Sequence, residues 1–148
     1  MATSLQHPLT SAATSTFEEL GFLLAVEAAG SSAPCEHAAR VRFRGPRAGS
    51  LVLQVSASLL PVVAANMLGA AEAPGLELQR DALGELANVI AGNVVPALDG
   101  PRAVYQLEAP RACAALPASD PAATVRLTFD EGAALVHLYL DDPSAAAT

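Results

Sequence analysis

Arg40-Val41-Arg42-Phe43-Arg44-Gly45-Pro46-Arg47-Ala48-Gly49-Ser50-Leu51-Val52-Leu53-Gln54-Val55 is the stretch on which the fold turns. Val41 and Phe43 alternate with Arg40, Arg42 and Arg44, the two-residue period of a half-buried strand. Gly45 to Gly49 is turn chemistry, with Gly and Pro supplying the bend. Leu51, Leu53 and Val55 alternate again, so the stretch predicts a hairpin. Its alternating arginines read as the wet face of a strand rather than as a binding patch. A lone hairpin with one apolar face is marginal in water, so the rest of the chain must cover it.

Downstream, Leu59 to Leu68 reads as a helix closed by Gly69, and Ala73-Pro74-Gly75 as a break. A third helix is expected over roughly Leu78 to Leu98. Pro96 lacks the N–H that would reach the Gly92 carbonyl, so a kink is expected there. Asp99-Gly100-Pro101 ends the helix. Val104 to Leu107 reads as a short strand and Pro110 to Pro121 as irregular. Val125, Leu127 and Phe129 alternate, Asp130-Glu131-Gly132 turns, and Leu135 to Leu140 is a dense final strand. Upstream, residues 1–13 read as a flexible lead-in. Thr16-x-x-Glu19 has capping-box spacing. It predicts a first helix through Phe17, Leu20, Leu24 and Ala28, stopped by Gly30 and Ser31-Ser32-Ala33-Pro34.

The chain also repeats itself. With Ser15 set against Asp81, Phe17 meets Leu83, Glu19 meets Glu85, Leu20 meets Leu86 and Leu24 meets Ile90. With Val41 set against Val125, Phe43 meets Leu127, Leu51 meets Leu135 and Val55 meets Tyr139. Each half, about 14–72 and 73–142, reads as a helix followed by a hairpin. Two such units joined through one sheet make a two-layer α+β domain. The sheet is expected to be mostly antiparallel, of about six strands, with three helices packed on it.

Composition sets the outer limits. The chain has 148 residues, 52% hydrophobic and 16% charged, which suits a single domain with a core. Its net charge of -7 argues against nucleic acid, which needs a basic patch. Ala48 to Ala71 is uncharged, but its period changes midway; it reads as a strand then a buried helix, not a membrane span. Met1 to Thr10 has neither a basic nor an apolar signal region, so a cytoplasmic location is expected. Cys35 and Cys113 lack metal-ligand spacing; a structural thiol or a disulfide both remain open. His7, His37 and His137 are scattered and read as surface or structural residues, and no metal site is expected.

The chemistry concentrates on the third helix. At about 100° per residue, Leu83, Leu86, Ala87, Ile90, Val94 and Ala97 form a core stripe. Asp81, Glu85, Asn88 and Gly92 fall opposite, so Glu85 and Asn88 are neighbours one turn apart, facing outward. Asn88 and Gly92 are poor helix formers, the second by about 1 kcal/mol against Ala. Gly84 and Gly92 would leave backbone uncovered beside them, where another protein can approach. The pattern alone is equally a solvated face.

Asp81-x-x-x-Glu85-x-x-Asn88, within Asp81-Ala82-Leu83-Gly84-Glu85-Leu86-Ala87-Asn88-Val89-Ile90-Ala91-Gly92-Asn93, resembles the signature of the CheC/CheX/FliY family of CheY-phosphate phosphatases. Pro110 stands one residue short of the place where that family usually has a proline. The resemblance implies a single CheX-like domain over 14–142 that hydrolyses the aspartyl phosphate of a CheY-type response regulator. It implies Asn88 as the water-positioning residue and Glu85 as the partner of the regulator's lysine. Asp81, Gly84 and Gly92 would form the partner-binding surface. The Mg²⁺ would belong to the regulator, so no cofactor of the chain's own is implied. The first copy reads Ser15-x-x-x-Glu19-x-x-Phe22; Phe cannot hold a water, so the first helix is expected to be non-catalytic. One intact copy resembles CheX-like members, which implies a homodimer paired through the sheet, although no residue here marks it. Two other readings stand beside this one: a docking module without catalysis, in which Asn88 tolerates Ala, and a small-molecule domain, which would need a buried polar cluster.

Overall fold

Residues 37–55 close into the expected hairpin, with burial alternating along its first strand and nearly continuous along its second. β1 (His37–Arg44) and β2 (Gly49–Val55) pair antiparallel, with Val41 opposite Leu51 and Phe43 opposite Gly49. In this computed structural model the described residues are 3–26, 34–100, 102–113 and 116–141, with side chains from Leu5 onward. The remaining elements are α1 (Thr3–Glu19), α2 (Leu59–Leu68), α3 (Leu76–Val94), α4 (Pro96–Asp99), β3 (Gln106–Leu107), β4 (Arg111–Ala112), β5 (Ala123–Phe129) and β6 (Gly132–Leu140).

The architecture is the two-layer α+β fold that the pattern predicts. The sheet has six strands in the order β3-β1-β2-β6-β5, with β4 also on β1, and every pairing is antiparallel. Val41, Phe43, Leu51, Leu53, Val55, Val136 and Leu138 are fully buried on the face covered by helices. α2 ends where expected: Gly69 sits at φ 64, the left-handed cap that glycine adopts without strain. The helix is interrupted at the place of the expected kink: α3 stops at Val94 and the short α4 starts at Pro96, with Val95 between them still in helical backbone geometry. Ala97, assigned to the core stripe, lies on α4 and is exposed.

The N-terminal reading is corrected. Residues 1–13 are not a loose lead-in where described, and Thr16 does not open a helix; both belong to α1. Leu5, Leu9, Ala12, Ala13, Thr16 and Phe17 form a buried stripe at helical spacing. Three of those six are Ala or Thr, and Pro8 interrupts them, so the apolar signal is faint. Thr16 is buried, and its Oγ1 donates to the Ala12 carbonyl at 2.7 Å instead of capping. The helix ends at Glu19, Leu24 is exposed, and Ala28 with the stop at residues 30–33 lies outside the described residues.

The helix-and-hairpin repeat is present, but its halves are interlocked. α1 packs on β5, a strand of the second half, while α3 packs on β1 and β2 of the first. Each half's helix therefore covers the other half's sheet, and one core serves both. The ungapped alignment slips by one residue inside the second hairpin: Val41 pairs with Leu51, but Val125 pairs with Val136 rather than Leu135. Val136 is fully buried and Leu135 is not. A one-residue shift swaps sheet faces, so Val136 is the true counterpart of Leu51. The shift arises at the turns, residues 45–48 in the first hairpin and Asp130-Glu131 in the second.

Candidate functional site on helix α3

α3 is anchored along one side and open along the other. Leu86, Ala87, Ile90, Ala91 and Val94 are fully buried against α1, α2 and the sheet. Asp81, Glu85 and Gly92 are exposed, and Asn88 is half-buried. Glu85 and Asn88 stand one turn apart on a helix whose opposite face is locked in the core, which fixes their directions. Among the described residues, neither side chain makes a hydrogen bond or ion pair within the protein, so both are available to a partner.

The segment between β3 and β4 lies along the helix. Pro110 rests on Gly84: a Cβ on that glycine would stand 3.2 Å from both Cβ and Cγ of the proline. Gly84 is therefore buried, and its expected role as uncovered backbone is corrected. Gly92 does have that openness; a Cβ there would meet only Leu107 Cδ1, at 3.8 Å. Beside the helix, an open cleft of about 630 Å³ is lined by Arg80, Asp81, Glu85, His37, Pro110 and Arg111, among others. Its walls mix both charge signs, which suits a charged protein surface more than an apolar ligand.

The first copy of the pattern is disabled in shape as well as in chemistry. Ser15 and Glu19 lie on α1, but Phe22 lies beyond it at φ 53, exposed. No third position therefore follows the helical face. The short strand expected to end at Leu107 is present as β3, but Arg111, in the segment read as irregular, was missed, because a strand of two residues carries no detectable period. It also missed a polar row on the other face of the sheet. There His137 Nε2–H donates to Gln54 Oε1 at 2.8 Å, and Thr124 Oγ1–H donates to His137 Nδ1 at 3.1 Å. This assigns the neutral ring with its proton on Nε2, and burial pushes the His137 pKa below its usual value. Cys35 donates its thiol to the Ala133 carbonyl at 3.6 Å, and burial raises its pKa. Among the described residues, no group of three His, Cys, Asp or Glu side chains is placed to hold a metal.

The family model for the chemotaxis phosphatase CheX matches residues 37–119, more than half of the chain. This chain belongs to the CheX family. The matched stretch contains Glu85, Asn88 and Pro110. The CheX family is one of CheY-phosphate phosphatases, and the chain is a phosphatase of that family. No curated protein matches in sequence. Solved structures do match. CheX from Desulfovibrio desulfuricans has TM-score 0.72 at 19% identity, covering 91% of this chain and 97% of that one. A chain of the CheX–CheY–BeF3–Mg²⁺ complex of Borrelia burgdorferi has TM-score 0.68 at 18% identity, covering 92% and 97%. A CheC-like superfamily protein from Shewanella sp. PV-4 has TM-score 0.72 at 18% identity, covering 96% and 100%. At such identities these likenesses speak for the CheX fold alone.

Proposed function

We propose that the chain docks a phosphorylated CheY-type response regulator on the outward face of α3 and hydrolyses its aspartyl phosphate, with Asn88 positioning the attacking water and Glu85 fixing the dock. The observation that carries this is the pair itself: two uncommitted polar side chains, one turn apart, on a helix held rigid by its buried opposite face. Exposed Asp81 and Gly92 extend the same surface. In the step, water oxygen bonds to phosphorus and the bond from phosphorus to the aspartyl oxygen breaks. Inorganic phosphate and a free carboxylate result. Such transfers depend on positioning and charge stabilisation, not on a covalent group from the protein. The Asn amide offers both donor and acceptor to a water and brings no charge against the phosphoryl oxygens. A hundredfold acceleration requires only about 2.7 kcal/mol off the barrier. Two side chains on a rigid helix are enough for that. The Mg²⁺ is expected on the regulator. A cytoplasmic location and a homodimer complete the reading on the family's pattern; among the described residues no helix is long and apolar enough to cross a membrane.

The test follows loss of the phosphoryl group from a CheY-type regulator of the same organism, with Mg²⁺ present. Wild type should speed decay, Asn88→Ala should return it to the spontaneous rate, and Glu85→Ala should weaken docking. Neither substitution should destabilise the fold, because neither side chain has an internal partner; Asn88→Ala should gain up to about 0.7 kcal/mol from helix propensity and Glu85→Ala should stay within about 0.5 kcal/mol. Unchanged decay with wild type across the cognate regulators would make the α3 face a docking surface without turnover.

A further inference from the structure

The chain carries a net charge of -7, yet its cations gather. β4 is only two residues long, but its register sets Arg111 directly opposite Arg40 of β1. Opposed residues in an antiparallel ladder share a face, with Cβ atoms about 5 Å apart, and like charges so placed repel. Arg42, two residues along β1, points the same way. These three arginines, with Glu108 and Cys113, line an open cleft of about 500 Å³. Arg42 and Arg44 already have carboxylates: Asp141 at 3.4 Å and Glu108 at 3.5 Å. Among the described residues Arg40 and Arg111 have none, and Arg40 Nε is buried with no acceptor. A buried donor without an acceptor is costly, and so is a like charge set opposite on the ladder.

We propose that this cleft is a binding site for a small phosphorylated anion, with Arg40 and Arg111 as its principal ligands. A phosphate group entering the cleft accepts from the Arg40 guanidinium and spans the space to Arg111. It turns the repulsion between the two guanidinium groups into a shared attraction. The planar guanidinium fork matches phosphate oxygens in paired hydrogen bonds. The cleft volume falls in the range of small-molecule sites and suits a group up to about the size of a mononucleotide.

The test is calorimetric titration of the whole chain with inorganic phosphate, pyrophosphate and AMP, without any response regulator, so its outcome is independent of the phosphatase reading. At least one probe should bind saturably with Kd below about 1 mM. Arg40→Gln and Arg111→Gln should each weaken it by about tenfold or more, and Arg102→Gln, at an exposed arginine outside the cleft, should not. Arg111→Glu should abolish binding while raising the melting temperature, because an opposed ion pair replaces an opposed like pair. Unfolding cannot produce that combination. The proposal is overturned by no saturable binding of any probe up to about 10 mM, or by Arg40→Gln and Arg111→Gln binding as wild type does. Binding of polyglutamate but none of the phosphates also overturns it, and would assign the cleft to an acidic protein.

Discussion

Gly84 and Gly92 lie two turns apart on α3, and alanine at each should change stability by different amounts. Gly inside a helix costs about 1 kcal/mol against Ala. At Gly92 the added methyl meets only Leu107 Cδ1, at an ordinary 3.8 Å, so the gain is kept. It is discounted slightly because the helix ends at Val94, leaving about 0.5–1 kcal/mol. For a chain of this size that raises the melting temperature by about 1–4 °C. At Gly84 the methyl would stand 3.2 Å from two carbons of Pro110, a few tenths of an ångström inside the favourable range. Pro110 is exposed, so it yields by local movement rather than by disturbing the core. The net effect should be within about 0.5 kcal/mol of zero. Urea unfolding reads both through the midpoint at constant m. Gly84→Ala with Pro110→Gly, which removes both contacting carbons, should then recover the helical gain, exceeding the sum of the single changes by about 0.5 kcal/mol. If Gly84→Ala alone stabilises as much as Gly92→Ala, and the double change shows no coupling, the packing argument is refuted. Gly92→Ala carries a second consequence: its methyl projects from the proposed docking face, so phosphatase kcat/KM should fall as stability rises.

Three further outcomes are expected. Leu9→Ala should destabilise by about 2–5 kcal/mol in the same unfolding assay, because Leu9 is fully buried on α1; a loose lead-in would lose nothing. Phe22→Asn should stabilise by about 0.5–1 kcal/mol, since Asn tolerates the φ 53 backbone and the residue is 70% exposed. A melting temperature that drops would show that the ring is anchored. His137 is held neutral, with a folded pKa below its usual 6.5, while the unfolded chain binds a proton near that value. Its stabilisation is thus complete above about pH 6.5 and declines as pH falls from there toward the lower folded pKa. Melting curves across that interval should show the decline in wild type and a shallower one in His137→Gln; an equal slope in both would remove His137 as the cause.

What was legible follows from where the signal is strong. Val41, Phe43, Leu51, Leu53 and Val55 carry a full two-residue period, so β1 and β2 could be placed. α2 could be bounded because Gly69 is the left-handed cap that ends it. α1 was misplaced because Ala12, Ala13 and Thr16 bury well but score weakly, and because Thr16-x-x-Glu19 fits a capping box that the buried Thr16 does not form. Gly84 was misread for a different reason. The helical wheel put it beside the open face, but Pro110, twenty-six residues on, covers it.

The sequence by itself determined the layers, the antiparallel sheet and the outward pair Glu85 and Asn88, because period, turn chemistry and helical spacing are local properties of the chain, and the run from Asp81 to Asn93 carried the resemblance to the family. Only the tertiary structure decided which half covers which, the one-residue slip between the hairpins, and the burial of Gly84 under Pro110. It alone placed Arg111 opposite Arg40. Each of these depends on residues distant in the chain meeting in one register, and β4, two residues long, has no period from which that register could be read.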